Sequence, residues 1–368
     1  MPRARRSSSF KKPLVWGSTL CLLLIGMGVL LWSSLLDSVR QGDEIVFTAS
    51  LPPRPTDAGN ILGATFSPGP DAPAVDGALA NPGFTEPALD PLKPNEPDLA
   101  LVDASPFGPL PRIAEDGRRA LETYARPADR RGDRPRIAVL VTGLGLQADA
   151  TNAAFHLPGA ISLLFSPYGD DLPAAFERAR LAGHEVLLEL PMEPADYPAN
   201  DPGPHTLRAS DTVDANIERL SWVLARAPGY FAVAGKGGAF ATSPEAMPVM
   251  QALAKKGIGM IEIDGDHLAG PSGTVGLPYL SAPDWIDGTP SAGAIDQALN
   301  ELEARARREG RAIGVAEAYP VTLKHLATWA TTLEERGMAL VPASAILLDE
   351  AGTDTDSSEG ANLAQSRN

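Results

Sequence analysis

The chain has 368 residues, a formal net charge of −15 and one cysteine. That length admits two domains. The acidic balance argues against a nucleic-acid partner, which needs clustered Lys and Arg, and the lone Cys21 excludes an internal disulfide or a cysteine-built metal site.

The N-terminal residues 1–12 carry Arg3, Arg5, Arg6, Lys11 and Lys12 ahead of an uncharged run from Pro13 to Leu36. As a helix at ~1.5 Å per residue, that run crosses ~30 Å of hydrocarbon. Trp16 and Trp32 stand near its two ends, where aromatic rings favour the interface, and the basic flank places the N-terminus inside. The reading is a cytoplasmic basic segment, 1–12, and a transmembrane anchor, 13–36. A cleaved signal peptide is the alternative, but "WSSLLDSVRQ" offers no A-x-A-like site. Either way the remainder is exported, which in a bacterium means an inner-membrane protein with its C-terminal part in the periplasm. Residues 37–133 are dense in Pro, Ala, Gly and Asp and show no sustained period. Such composition buries too little apolar surface to offset chain entropy, so the segment reads as a disordered, semi-extended linker. Only 113–127 suggests a helix.

From 134 to 350 the pattern becomes α/β, and 351–368 is a disordered polar tail. "RIAVLVTG", "AISLLFSPYG", "HEVLLELPMEP", "YFAVAGKGG", "IGMIEIDG", "RAIGVAEA" and "MALVPASAIL" read as strands with amphipathic helices between them. Alternation of this kind implies parallel strands. Runs such as Ile137–Val141, apolar without alternation, fit strands covered on both faces. The fold expected is a distorted (β/α) barrel of about seven parallel strands, since the segment is short for eight full units. Chemistry in such folds sits at strand C-terminal ends.

The turn after the first strand, Gly143-x-Gly145-x-x-Ala148, matches a dinucleotide fingerprint loosely, but the second strand runs out as Phe165-Ser166-Pro167 with no acid for a ribose. Glycines that let the chain turn tightly are the simpler reading. No G-x-S-x-G elbow is present.

"GHEVLLELPMEP" (183–194) with "NDPGPHTL" (200–207) resembles the divergent polysaccharide deacetylases, within the NodB-like carbohydrate esterases. "LPGAISLLFSPY" (157–168), "AFERARLAGHE" (175–185), "IERL…LARAPGYFAV" (217–233) and "YPVTLKHLATW" (319–329) match softly and in order. The resemblance implies a barrel holding zinc or another divalent metal, whose activated water removes N- or O-acetyl groups from a glycan. It also implies "IDDLG" after the first strand, "NHMGS-x-FT" after the fourth and "IGIGHP" after the sixth. Here those places read Val141-Thr142-Gly143-Leu144-Gly145, Ala234-Gly235-Lys236-Gly237-Gly238-Ala239-Phe240-Ala241-Thr242 and Ile313-Gly314-Val315-Ala316-Glu317-Ala318. Two acids and two histidines are replaced, one His by Gly235 and the other by Glu317.

Two readings follow. One is a non-catalytic, membrane-tethered domain with no metal or other cofactor, binding an envelope glycan or an envelope protein. The other is an active deacetylase with a rebuilt site. Catalytic candidates are Glu185, Glu193 and Asp264. Substrate-binding candidates are His184, Asp196, Trp285 and Asp287, the tryptophan because its face packs on a pyranose. The metal alternative is Asp264, His267 and Glu317. Glu189 and Glu193, four apart on one predicted strand, would share a side and form an acidic cluster with Asp196.

Overall fold

The computed structural model describes Leu92 and residues 96–128 and 133–352. The predicted anchor at 13–36 and the polar tail beyond 352 lie outside those residues. Among the described residues no helix is long and apolar enough to cross a membrane.

A small antiparallel hairpin comes first, β1 (Val102–Ser105) and β2 (Gly108–Pro111), then a short helix, α1 (Ala120–Thr123). The main sheet follows: β3 (Arg136–Leu144), β4 (Ser162–Phe165), β5 (Val186–Glu189), β6 (Ala232–Gly235), β7 (Gly259–Glu262), β8 (Tyr279–Ser281), β9 (Asp284–Trp285), β10 (Arg311–Glu317) and β11 (Ala339–Leu340). Every ladder in it is parallel, in the order β8-β7-β6-β5-β4-β3-β10-β9, with β11 added to the start of β3. The helices between are α2 (Ala148–Ala154), α3 (Leu172–Leu181), α4 (Val213–Leu224), α5 (Gly238–Ala241), α6 (Ala246–Ala254), α7 (Ala269–Val275), α8 (Ala292–Glu309) and α9 (Pro320–Thr331).

The edge strands β8 and β9 are separated in sequence by residues 282 and 283 alone. The chain from Ser281 to Asp284 can span no more than ~10 Å. Opposite edges of the sheet are therefore brought together, and the sheet curls into an incompletely closed barrel. Trp285 Nε1 donates to the Ile263 carbonyl at 2.9 Å across that gap.

Register sorts the side chains. In parallel ladders, paired residues share a face, and the period is two along each strand. Leu164, Leu187, Ala232, Val315 and Thr142 fall on one face through the β3–β4, β4–β5, β5–β6 and β10–β3 pairings. Phe165 falls on the other and packs against Phe176 of α3, ring centroids 5.2 Å apart. The Phe165 face is thus the helix-covered outside, and the Leu164 face lines the lumen.

Four expectations are corrected. Residues 96–128, read as the end of a disordered linker, are folded. Leu101, Ala114, Ala120, Leu121 and Tyr124 are buried in the core. Leu121 N donates to the Gly257 carbonyl ahead of β7, and Arg126 N to Glu185 ahead of β5. This strap closes the N-terminal end of the barrel. The helix expected over 113–127 shrinks to α1, four residues. The last strand expected, "MALVPASAIL", survives only as β11, and residues 343–352 are helical. Pro342 there lacks the N–H a strand would need and instead opens a helix. The strand total rises because β8 and β9, three and two residues long, are strands that no apolar run announces.

Candidate functional site

At the C-terminal mouth of the lumen, parity brings together residues far apart in sequence. Glu189 ends β5 opposite Ala234, and Lys236, two beyond Ala234, projects from the same side. Glu317 ends β10 opposite Thr142 of β3, and Trp285 of β9 pairs with Val315 on that face. Asp287 follows Trp285 by two. The mouth therefore holds Glu189, Lys236, Trp285, Asp287 and Glu317.

Contacts agree with this placement. The Lys236 ammonium sits 4.6 Å from the centroid of the Trp285 ring. A Cβ added to Gly143 would lie 2.7 Å from Glu317 Oε2, so the Glu317 carboxylate rests directly against the Gly143 backbone. Gly143 has φ +79°, a conformation that favours glycine. Asp287 is buried and accepts from Glu317 N at 3.2 and 3.0 Å and from Thr322 Oγ1 at 2.8 Å, fixing the end of β10.

Electrostatics single out two groups. Burial raises the Glu189 carboxyl above its ordinary range, Glu317 adds to the rise, and Lys236 opposes it. Burial also raises Glu317, with Lys236 opposing and Asp287 adding. Asp287 is raised by burial against its hydrogen bonds from Thr322 and Glu317 N. Among the described residues, neither the Glu189 nor the Glu317 carboxylate accepts a protein hydrogen bond, and Lys236 forms no ion pair. Two half-buried carboxylates and an exposed ammonium thus share the mouth without pairing with one another.

The other candidate residues lie elsewhere. Glu185 is on the luminal face but at the opposite, N-terminal end of β5. Four residues separate it from Glu189, or ~13 Å at ~3.3 Å per residue. It is fully buried and accepts from Arg126 N at 3.0 Å, Ser162 Oγ at 2.6 Å, Ser344 N at 3.0 Å and Ser344 Oγ. That is an anchor for the strap and the C-terminal helix, not a group at the mouth. His184 is buried beside it on the outer face, with Nδ1 2.7 Å from the Ile161 carbonyl and its pKa lowered by burial.

Glu193 does not share a strand with Glu189, because β5 ends at Glu189 and the chain turns through Leu190 and Pro191. Its carboxylate accepts from Ala209 N at 2.7 Å and pins the following loop. Asp196 lies exposed in that loop. The predicted Glu189–Glu193–Asp196 cluster has no counterpart in these contacts.

On the outer face, Glu262 pairs with Gly235 and Ser281 and is fully buried, accepting from Tyr279 Oη at 2.7 Å and Leu268 N at 2.9 Å. His267 Nδ1 is 3.2 Å from Glu262 Oε1, and Asp264 Oδ1 accepts from Gly237 N at 2.8 Å. Asp264 and His267 therefore belong to the β7–α7 turn, whereas Glu317 belongs to the lumen. Among the described residues no three His, Cys, Asp or Glu side chains are grouped to hold a metal ion, so Asp264, His267 and Glu317 do not converge.

The resemblance implies a divalent ion, and the donor set does not fit one. The strand ends offer Gly143 and Gly235 where ligands would be needed. A Cβ at Gly235 would lie 2.3 Å from the Leu190 carbonyl oxygen, so this backbone has no room for a side chain there. Sequence reasoning missed Lys236 altogether and assigned Glu189 to a different cluster. The available signal was parity: Lys236 stands at Ala234 plus two, beyond a strand end.

A parallel, curled α/β sheet is consistent with the NodB-like fold that the resemblance implies. The profile of the divergent polysaccharide deacetylase family matches residues 139–347, and the chain belongs to that family. The chain is 27% identical over 229 residues to uncharacterized protein YibQ of Escherichia coli (strain K12), covering 60% of this chain and 69% of that protein. The crystal structure of uncharacterized protein ATU2773 from Agrobacterium tumefaciens C58 superposes with a TM-score of 0.63 at 34% identity, over 65% of this chain and 99% of that one.

Proposed function

We propose that this protein is a membrane-tethered, periplasmic member of its family whose barrel mouth binds an envelope glycan without metal-dependent deacetylation. The observation that carries the reading is the content of the mouth: Glu189, Glu317 and a lysine stand where a metal's ligands would be required, and Gly143 and Gly235 present none. The basic N-terminus and the uncharged run 13–36 support the tether.

The chemistry of the mouth suits a neutral, hydroxyl-rich ligand. Carboxylates without protein donors accept from hydroxyls, and the partly exposed Trp285 supplies an apolar face for a sugar ring. Asp287 holds Glu317 in place through the Glu317 N–H.

The test is binding of chito- and peptidoglycan oligosaccharides to the full chain by calorimetry, with acetate release followed in parallel. Binding that weakens at least ~10-fold in Trp285→Ala, with no acetate released when zinc is added, is expected. Zinc-dependent acetate release that disappears in Asp264→Ala would instead establish the active deacetylase.

A further inference from the structure

We infer that Lys236 is the built-in cation of the mouth: its ammonium takes the electrostatic place of a divalent ion, excludes such an ion, and leaves Glu189 and Glu317 free to accept hydrogen bonds from a neutral ligand. The inference rests on the reading of the mouth as a glycan site, but its premises are geometric.

Three observations point to it. Register puts Lys236 on the luminal face with Glu189, one strand away, and both Glu317 and Trp285 share that face from the other side of the barrel. The ammonium is held 4.6 Å over the Trp285 ring, an arrangement that keeps a cation in place without consuming a carboxylate. Among the described residues no ion pair joins Lys236 to Glu189 or Glu317, yet each of those carboxylates feels its charge. The exposed lysine thus compensates a half-buried acid pair without closing on either acid.

A group placed this way has a definite consequence. Two luminal carboxylates without protein donors are the beginning of a cation site, because hard divalent ions take oxygen ligands. A resident ammonium lowers the local negative potential and repels a doubly charged ion. Glycan hydroxyls, carrying no charge, meet no such repulsion and can bridge the acids. Without Lys236, Glu189 and Glu317 would lose their counter-charge, and a divalent ion would be the simplest replacement.

The experiment is thermal unfolding of the full chain with and without about 1 mM Zn²⁺ or Mn²⁺, paired with equilibrium dialysis and metal analysis. The wild type is expected to hold no stoichiometric ion and to show no shift. Lys236→Gln is expected to take up one ion and rise by several degrees, as when a ligand is present at about 100 times its Kd. Adding Glu317→Gln to that variant should abolish the gain, and Lys236→Arg should behave as wild type. A wild type that binds one ion whose loss follows Glu317→Gln overturns the inference, as does a folded Lys236→Gln that gains nothing. If Lys236→Gln does not fold, Lys236→Met in the same assay decides. No glycan enters this measurement, so failure to bind oligosaccharides would sink the proposed function and leave the lysine's role standing.

Discussion

Glu185 offers the sharpest test of the division between a structural end and a functional end of the barrel. Its two carboxylate oxygens each face a backbone N–H: Oε1 accepts from Ser344 N and Oε2 from Arg126 N, both at 3.0 Å. The serine hydroxyls of 162 and 344 can rotate to new partners, but the backbone donors cannot. In Glu185→Gln the amide must present its NH₂ to one of those N–H groups whichever way it is flipped. One buried donor then goes unsatisfied, at a cost of ~1–3 kcal/mol. In Glu185→Ala both backbone donors are stripped. Relief from burying the carboxylate offsets part of that loss, and a net ~2–5 kcal/mol is expected from two unsatisfied donors at ~1–3 kcal/mol each. Urea unfolding of the full chain at neutral pH, read by tryptophan fluorescence, measures both. Oligosaccharide affinity, corrected for the folded fraction, should be unchanged in the Gln variant because Glu185 is ~13 Å from the mouth. A Gln variant as stable as wild type that no longer binds ligand would refute the reasoning and return Glu185 to the list of functional groups.

Three further outcomes are expected. Burial raises Glu189 and Glu317, so each contributes stability that is present below the ordinary glutamate value of ~4.3 and is lost as pH rises through its folded-state value. Glu189→Gln should therefore stabilise the protein at pH 7 relative to wild type and flatten that decline, measured as melting temperature between pH 4 and 8; a destabilised variant at pH 7 would contradict the sign. Leu121 of the strap is fully buried, so Leu121→Ala should cost ~2–5 kcal/mol by denaturant titration, and a chain begun at residue 134 should be less soluble and melt earlier than one begun at residue 96. Gly143→Asp, which restores an acid to the end of β3, should lose ~1–3 kcal/mol and gain no zinc by metal analysis, because its Cβ meets Glu317 Oε2 and the residue must hold φ +79°.

What was legible in the sequence follows the range of the forces involved. Helices such as α3 and α8 announce themselves through an apolar stripe and Gly183 or Gly310 just beyond. β3 was legible because both of its faces are covered. The strap was not, because prolines between its anchors mimic linker composition, while the docking of Leu101, Leu121 and Tyr124 is a tertiary event. "VPASAIL" illustrates a different limit, since a short buried apolar run fits a strand or a helix equally well. In the site, Glu317 was visible as an acid at a predicted strand end, and Trp285 and Asp287 by residue type alone. Lys236 was not, because Gly-Lys-Gly-Gly looks like any solvated turn until the register of six strands sets it beside Glu189 and over Trp285.

The same register couples the groups of the mouth to one another. The Glu317 carboxylate can lie against β3 only because position 143 has no Cβ. Asp287 holds the Glu317 backbone from below, and Lys236, braced on Trp285, supplies positive charge to both Glu317 and Glu189. An acid returned to position 143 alone must displace the Glu317 carboxylate and hold φ +79°. A side chain returned to position 235 alone meets the Leu190 carbonyl at 2.3 Å from its first carbon. A histidine returned to 317 alone would leave Lys236 facing only Glu189 across the mouth. Each single reversion is therefore worse than the present arrangement, and recovery of a metal site would require several changes together, including removal of the lysine.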